Sequence, residues 1–384
     1  MKHHLWIQIF ALSISASLML TACASATTPT LPPAATPVPT ATLAPPAATP
    51  TQAASLAPSA RSEISLAYDS KTDQVLFFGG VKVDPCWEDC PAMLGDTWLY
   101  DVASHTWTEV KPPTSPEPRD NPAMAYDAES DRIILFGGFI SATNYAPRET
   151  WAFDMNTHTW TEMKSQGPTY HFGHSMVYDS QADRMIVFGG DNVGENVTTN
   201  DTWAYDYNTD TWTEMKPAAS PPGRNFQSMA YDSMADRIIM WGGWGTTNDD
   251  NDTRVWVFDY HTDSWEARLP SGGPTSRAFH NLAYDPAADR TILYGGYSGG
   301  MSDAWDFSTN NSSETWVYDY NLNTWTLLNP AANPGRLTSF GLVYLPSIDR
   351  SLLFGGRFDF GRFNDKTWLY DDTADTWTEV ALKP

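Results

Sequence analysis

From residue 61 onward the chain repeats one pattern of apolar and polar positions six times. In the third copy a short stretch, Ser175–Tyr178, is followed by a turn-like Asp183 and an apolar run, Arg184–Phe188, that ends in Gly189-Gly190. Two further stretches, Thr202–Asp206 and Thr211–Met215, are rich in Trp, Tyr and Thr, and Tyr207-Asn208-Thr209-Asp210 separates them. β-branched and aromatic residues suit strands, and Asp/Asn/Thr clusters suit tight turns. Each copy therefore predicts four short strands, A to D, with the continuous run of strand B buried on both faces. No stretch carries a sustained helical period, so the region is expected to be all-β.

Three landmarks hold the register. The Gly pair recurs at Gly79-Gly80, Gly137-Gly138, Gly189-Gly190, Gly242-Gly243, Gly295-Gly296 and Gly355-Gly356. Two Trp nine residues apart recur as Trp98/Trp107, Trp151/Trp160, Trp203/Trp212, Trp256/Trp265, Trp316/Trp325 and Trp368/Trp377. A Tyr-Asp precedes each apolar run, with Tyr344-Leu345 as the departure, and an Asp-Arg opens the run except at Asp73-Gln74. Four-stranded units repeating at this period predict radially packed blades. Gly can take a positive φ and let strand B leave the sheet sharply, while the Trp rings supply area for packing blade on blade. Strand A occurs first at Ile64–Tyr68 and strand D last at Thr376–Val380, so all six sets are complete. Closure is then expected from side-chain packing between the first and sixth blades, not from a shared blade.

The Gly pair, the Tyr and the spaced Trp resemble the Kelch family, over residues 61–384. The resemblance implies a six-bladed β-propeller with four antiparallel strands per blade. It also implies a binding surface on the face where D–A and B–C connections meet around the channel.

Residues 1–22 read as a signal peptide: Lys2, His3 and His4 precede an apolar Leu5–Leu20, and Leu20-Thr21-Ala22-Cys23 resembles a bacterial lipobox. Cys23 is the expected lipidation site, with an ordinary secretory signal as the alternative. Residues 23–60 are almost entirely Ala, Thr, Pro and Ser and are expected to form a disordered tether. Together these predict an exported protein anchored to the outer face of a bacterial membrane, touching it through the lipid alone.

Composition narrows the partners. The net charge is −23, and only Lys2 is charged in residues 1–60. Such a body repels phosphate backbones, which excludes nucleic acid as a partner class. It fits solubility or attraction of divalent cations.

Candidate ligand contacts follow from the repeat. A basic residue precedes each strand A: Arg61, Arg119, His171, Arg224, Arg277 and Arg336. The first five lie seven residues before the repeat's Tyr, and Arg336 lies eight before Tyr344. Six-fold symmetry would make them a cationic ring suited to carboxylate or sulfate, since Arg offers a planar fork of donors. The competing reading pairs each with a neighbouring acid such as Glu63 or Asp120. B–C connections carry aromatics, Trp244 and Trp305 above all, with Phe139, Tyr145, Tyr297, Phe358, Phe360 and Phe363. They suit a sugar ring or extended peptide, or fold back as lids.

Other constellations are weaker. Cys86 and Cys90 suit a local disulfide outside the cytoplasm, with metal as the alternative. Asp249, Asp250 and Asp252 lie in an oxygen-rich run that offers Ca²⁺ ligands or a solvated turn. Gly296-Tyr297-Ser298-Gly299-Gly300 matches Gly-x-Ser-x-Gly but lacks the strand–elbow–helix context. The copper-radical oxidases on a related propeller need a Cys joined to a Tyr, and the close pair Cys86/Cys90 argues against that. The reading that results is a monomeric, cofactor-free binding module for an extracellular glycan or peptide. Its rivals are an exported sugar epimerase or mutarotase, which would need an acid/base pair among residues such as Glu63, Asp120 and Glu149, and a scaffold for another envelope protein.

Overall fold

A computed structural model describes residues 57–82, 93–140, 147–169, 171–192, 197–245, 252–299, 310–359 and 362–382, with the side chain of His171 outside that set. All of them belong to one unit, Ala54–Pro384. The signal peptide, Cys23, nearly all of the tether, Cys86, Cys90, Tyr145, Asp249, Asp250, Trp305 and Phe360 lie outside the described residues. Ala57, placed by sequence in the tether, packs with Leu382 against the first core cluster.

Six antiparallel four-stranded sheets follow one another, each in the order A-B-C-D. The first is Ser65–Asp69, Gln74–Phe78, Thr97–Asp101 and Thr106–Val110. Strands A of the later blades are Ala123–Asp127, Ser175–Asp179, Ser228–Asp232, Asn281–Asp285 and Gly341–Leu345. Every strand A packs on the next around a common axis, and the sixth packs on the first. The protein is thus a six-bladed β-propeller whose blades are each built from one contiguous stretch of chain.

Strand B is fully buried after its first residue in all six blades, as the unbroken apolar runs require. The turns use chemistry that tolerates a left-handed backbone: Asp73, Asp131, Asp183, Asp236, Asp289 and Asp349 have φ of 54–60° in the A–B turns. In each blade the strand-A tyrosine, from Tyr68 to Tyr344, donates its hydroxyl to that turn Asp at 2.7–2.9 Å.

Blades are joined by the second Trp of each pair. Trp160, Trp212, Trp265 and Trp377 donate Nε1 to Thr97, Thr150, Thr202 and Thr315 of the preceding blade at 3.0–3.2 Å. The ring closes by the same device, Trp107 Nε1 to Thr367 Oγ1 at 3.0 Å, with Phe77 edge-on to Phe354. Closure by packing between complete blades is therefore what the structure shows. The Gly pairs are needed for close approach as well as for φ: a Cβ on Gly79 (φ 81°) would lie 2.6 Å from the carbonyl oxygen of Arg119 in the next blade.

Candidate functional site at the channel mouth

The D–A connections bring one left-handed residue per blade to the axis: Glu63, Asn121, Gly173, Phe226, Phe279 and Ser339, with φ of 45–67°. Their backbones form a belt. Glu63 N donates to Ser339 O (2.8 Å), Asn121 N to Glu63 O (2.9 Å), Phe226 N to Gly173 O (2.7 Å), Phe279 N to Phe226 O (3.1 Å) and Ser339 N to Phe279 O (2.9 Å). Chains joined this way run about 5 Å apart, so the belt narrows the channel. The belt is the floor of the mouth.

Above that floor the side chains divide into two halves. Blades two to five supply an aromatic arc: Phe139 to Phe172 (5.7 Å between centroids), Phe172 to Phe226 (5.3 Å) and Phe226 to Phe279 (4.2 Å). Trp244 backs it edge-on, 4.9 Å from Phe279 and 6.1 Å from Tyr297. Blades six, one and two supply charge and polarity. Arg357 Nη2 lies 3.6 Å from Glu63 Oε1, and its guanidinium stands 5.8 Å over the Phe279 ring. Asp120 is buried beside Glu63 and accepts a bond from Asn121 Nδ2 at 3.3 Å. Burial first, and then the charge of Glu63, push the Asp120 carboxyl well above the usual carboxylate range.

The expected cationic ring is not presented to solvent. Arg61, Arg119, Arg224 and Arg277 are at most 3% exposed. Each donates Nη1 to the carbonyl of the first Gly of its own blade's pair: Gly79, Gly137, Gly242 and Gly295, at 3.0–3.2 Å. Each also pairs with an acid before strand C, namely Asp96, Glu149, Asp252 and Glu314. Those acids, not Glu63 or Asp120, are the partners. The reason is topological: the guanidinium points back under its own B–C connection, where a carboxylate offsets the cost of its burial. In the first, fourth and fifth blades the same acid accepts the indole N–H of Trp98, Trp256 and Trp316.

Arg336 does not belong to this set. Gly296 N donates to Leu337 O as Gly80 N does to Arg119 O, so Leu337, buried, holds the sixth station and Arg336 is exposed. The eight-residue offset to Tyr344 was the signal. His171 holds the third station by backbone pairing with Asn192.

Trp244 is a lid, not an open platform. It is 6% exposed and donates Nε1 to Gly299 O at 3.3 Å. Asp252 is not poised for Ca²⁺, because Arg224 Nη2 and Arg254 Nε each approach its carboxylate to 2.7 Å and hold its pKa far down against burial. His174 and His280 are buried against Phe136 and Trp241. One carboxylate oxygen from each of Asp127, Glu129 and Asp183 lies within 4.8 Å of the others, and Asn208 Nδ2 donates to the latter two. The residues that sequence reasoning missed are Phe172, Phe226, Phe279 and Arg357. Their signal was position, five or six residues before the strand-A Tyr or one after the Gly pair.

Comparison with known proteins agrees with this architecture. A family model described as the KLHDC2/KLHL20/DRC7 Kelch-repeats domain matches residues 46–233. One described as the Attractin/LZTR1 beta-propeller matches residues 162–344. Kelch domain-containing protein 3 of Rattus norvegicus is 28% identical over 248 residues, 58% of this chain and 61% of that relative. The same protein of Homo sapiens is 28% identical over 247 residues with the same shares. The chain therefore spans 61% of the length of these curated relatives.

Proposed function

Proceeding from Kelch-type repeats on a six-bladed propeller, we propose that this chain is a binding module that presents its channel mouth to a peptide or glycan, outside the cytoplasm on a lipid tether. Kelch propellers typically serve protein interaction, which supports the coarser part of this reading. The observation that carries the finer part is the two-sided mouth. The half-buried rings of Phe139, Phe172 and Phe226 offer apolar area, and the half-buried Glu63 and Asn121 supply acceptors and donors, with Phe279 and Arg357 buried beside them. A sugar ring or a peptide side chain, each with one apolar and one polar aspect, fits that division.

The test is a screen of the mature chain on glycan and peptide arrays beside Phe226→Ser and Asn121→Ala. Binding by the native chain that drops at least tenfold in Phe226→Ser supports the reading. Unchanged binding in both variants sinks it. Export and anchoring rest on Leu20–Cys23 and are tested by metabolic labelling with a fatty-acid analogue, which Cys23→Ser must abolish.

A second reading has one observation in its favour. Asp120, whose carboxyl burial and Glu63 push above the usual carboxylate range, lies beside a second carboxyl, the pairing that acid/base chemistry on a sugar needs. Exchange of sugar anomers followed by NMR, accelerated by the native chain and not by Asp120→Asn, would favour the enzyme over the passive module.

A further inference from the structure

A cleft of about 590 Å³ opens at the seam between the sixth and first blades. Ser59 and Ala60 line one side, where the chain enters the propeller. Lys82, Phe358, Arg362 and Phe363 line the rest. Phe358 and Phe363 sit on the short hairpin formed by Arg357–Asp359 and Arg362–Phe363, so their position is set by backbone pairing.

Most Lys and Arg among the described residues are matched to a carboxylate, and Arg148 and Lys164 are two that are not. Lys82 and Arg336 are exposed and neither has a carboxylate partner among the described residues. Both are tied to the same aromatic. Lys82 lines the cleft with Phe358, and Arg336 follows Gly335, on which that ring rests closely enough that a Cβ would lie 3.3 Å from it. Arg362 stands 5.9 Å over the Phe358 ring, and Asp359 offsets its charge with hydrogen bonds to Nε at 2.8 and 2.9 Å. Among the described residues that line the cleft, the cations Lys82 and Arg362 stand against one nearby carboxylate, Asp359, on a chain of net charge −23. The surrounding acidity repels long polyanions, so the patch suits a compact ligand with a single negative group.

We propose that this cleft binds a small carboxylate attached to a ring, the carboxylate meeting Lys82 and the ring lying on Phe358 and Phe363. Two sources share that chemistry, an aromatic carboxylate and a uronic acid. Its lining shares no residue with the mouth, and it stands or falls without the mouth reading.

Isothermal titration of the mature chain with phenylacetate, phenylacetamide and glucuronate tests it. Phenylacetate or glucuronate should bind, phenylacetamide should bind at least tenfold more weakly, and 0.5 M salt should weaken the acids. Lys82→Glu should cost tenfold or more with the melting temperature unchanged, since that side chain is exposed, and Phe363→Ser should cost as much, while Phe226→Ser at the mouth should cost nothing. Phenylacetate tighter than glucuronate assigns an aromatic carboxylate, and the reverse a uronic acid. Binding of neither acid overturns the proposal, and so does equal binding of acid and amide or indifference to Lys82→Glu.

Discussion

Trp325 meets Val255 where the corresponding tryptophans of the other blades meet threonine. The two share a core cluster, and Trp325 Nε1, buried, has no hydrogen-bond partner. Its five counterparts donate to Thr97, Thr150, Thr202, Thr315 and Thr367. The blade 4–blade 5 junction thus lacks a bond that every other junction has. Val255→Thr should supply it without added volume, for a gain of about 0.5–1.5 kcal/mol. Thr202→Val should lose a similar amount by orphaning Trp265. Denaturant melts of the two variants check this, and a Val255→Thr protein no more stable than the native one would show that Trp325 is already satisfied.

The buried arginines make the opposite contrast with Arg336. Replacing Arg119 with Met removes its bonds to Glu117 O and Gly137 O and strands Glu149, for a loss of about 2–4 kcal/mol. Arg336→Ala, at the surface, should stay within about 0.5 kcal/mol. The sixth blade shows how the station is vacated in concert: Leu337 stands for the Arg, and Lys366, two residues before Trp368, stands where Asp96 precedes Trp98. Arg277→Leu combined with Glu314→Lys should therefore cost less than the two single changes added together, as read by a double-mutant cycle in melting temperature.

The blades were legible because their signals are local. The Gly pairs, the Trp spacing and the Asp turns each act within one repeat, and the register of strands A to D follows from them. Completeness of the first and last repeats even exposed how the ring closes. The mouth was less legible because its members come from six distant stations with no residue type common to all: Glu63, Asn121, Gly173, Phe226, Phe279 and Ser339 occupy equivalent places. The Arg residues drew attention by repeating, and repetition across all blades is the mark of a scaffold part. The exceptions, Arg357, Asp120 and Phe226, carry the asymmetry on which a ligand site depends.

Asp372 gives the fifth and sixth blades a pH response. Its carboxyl is buried, Arg290 Nε lies 2.9 Å away, and burial raises its pKa to about 6 in spite of that arginine, with Asp285 and Asp349 adding to the rise. Because the folded value exceeds the unfolded 3.8, the group's contribution is fully present below pH 3.8 and is lost as pH rises through 6. Asp372→Asn should thus stabilise the protein at pH 7.5, by an amount on the order of 2 kcal/mol, and be neutral near pH 3.5. Melting temperatures across that range read it, and a gain that does not shrink on acidification would contradict the assignment.

His280 works with the opposite sign. Burial and the charge of Arg277 lower its pKa from 6.5 to about 3, so the imidazole is neutral in the fold. The unfolded chain takes up the proton first, and stability is lost as pH falls from 6.5 toward 3, by about 3 kcal/mol at pH 4. The ring lies edge-on to Trp241 as Phe340 of the next blade lies edge-on to Tyr294. Phe is therefore a tested occupant of the station, and His280→Phe should keep the fold at pH 7 while flattening the acid limb of the stability curve. Measured together with Asp372→Asn, the two variants should move the curve at opposite ends. A His280→Phe protein with the native acid limb would place the acid sensitivity elsewhere, with His174 against Phe136 as the next residue to replace.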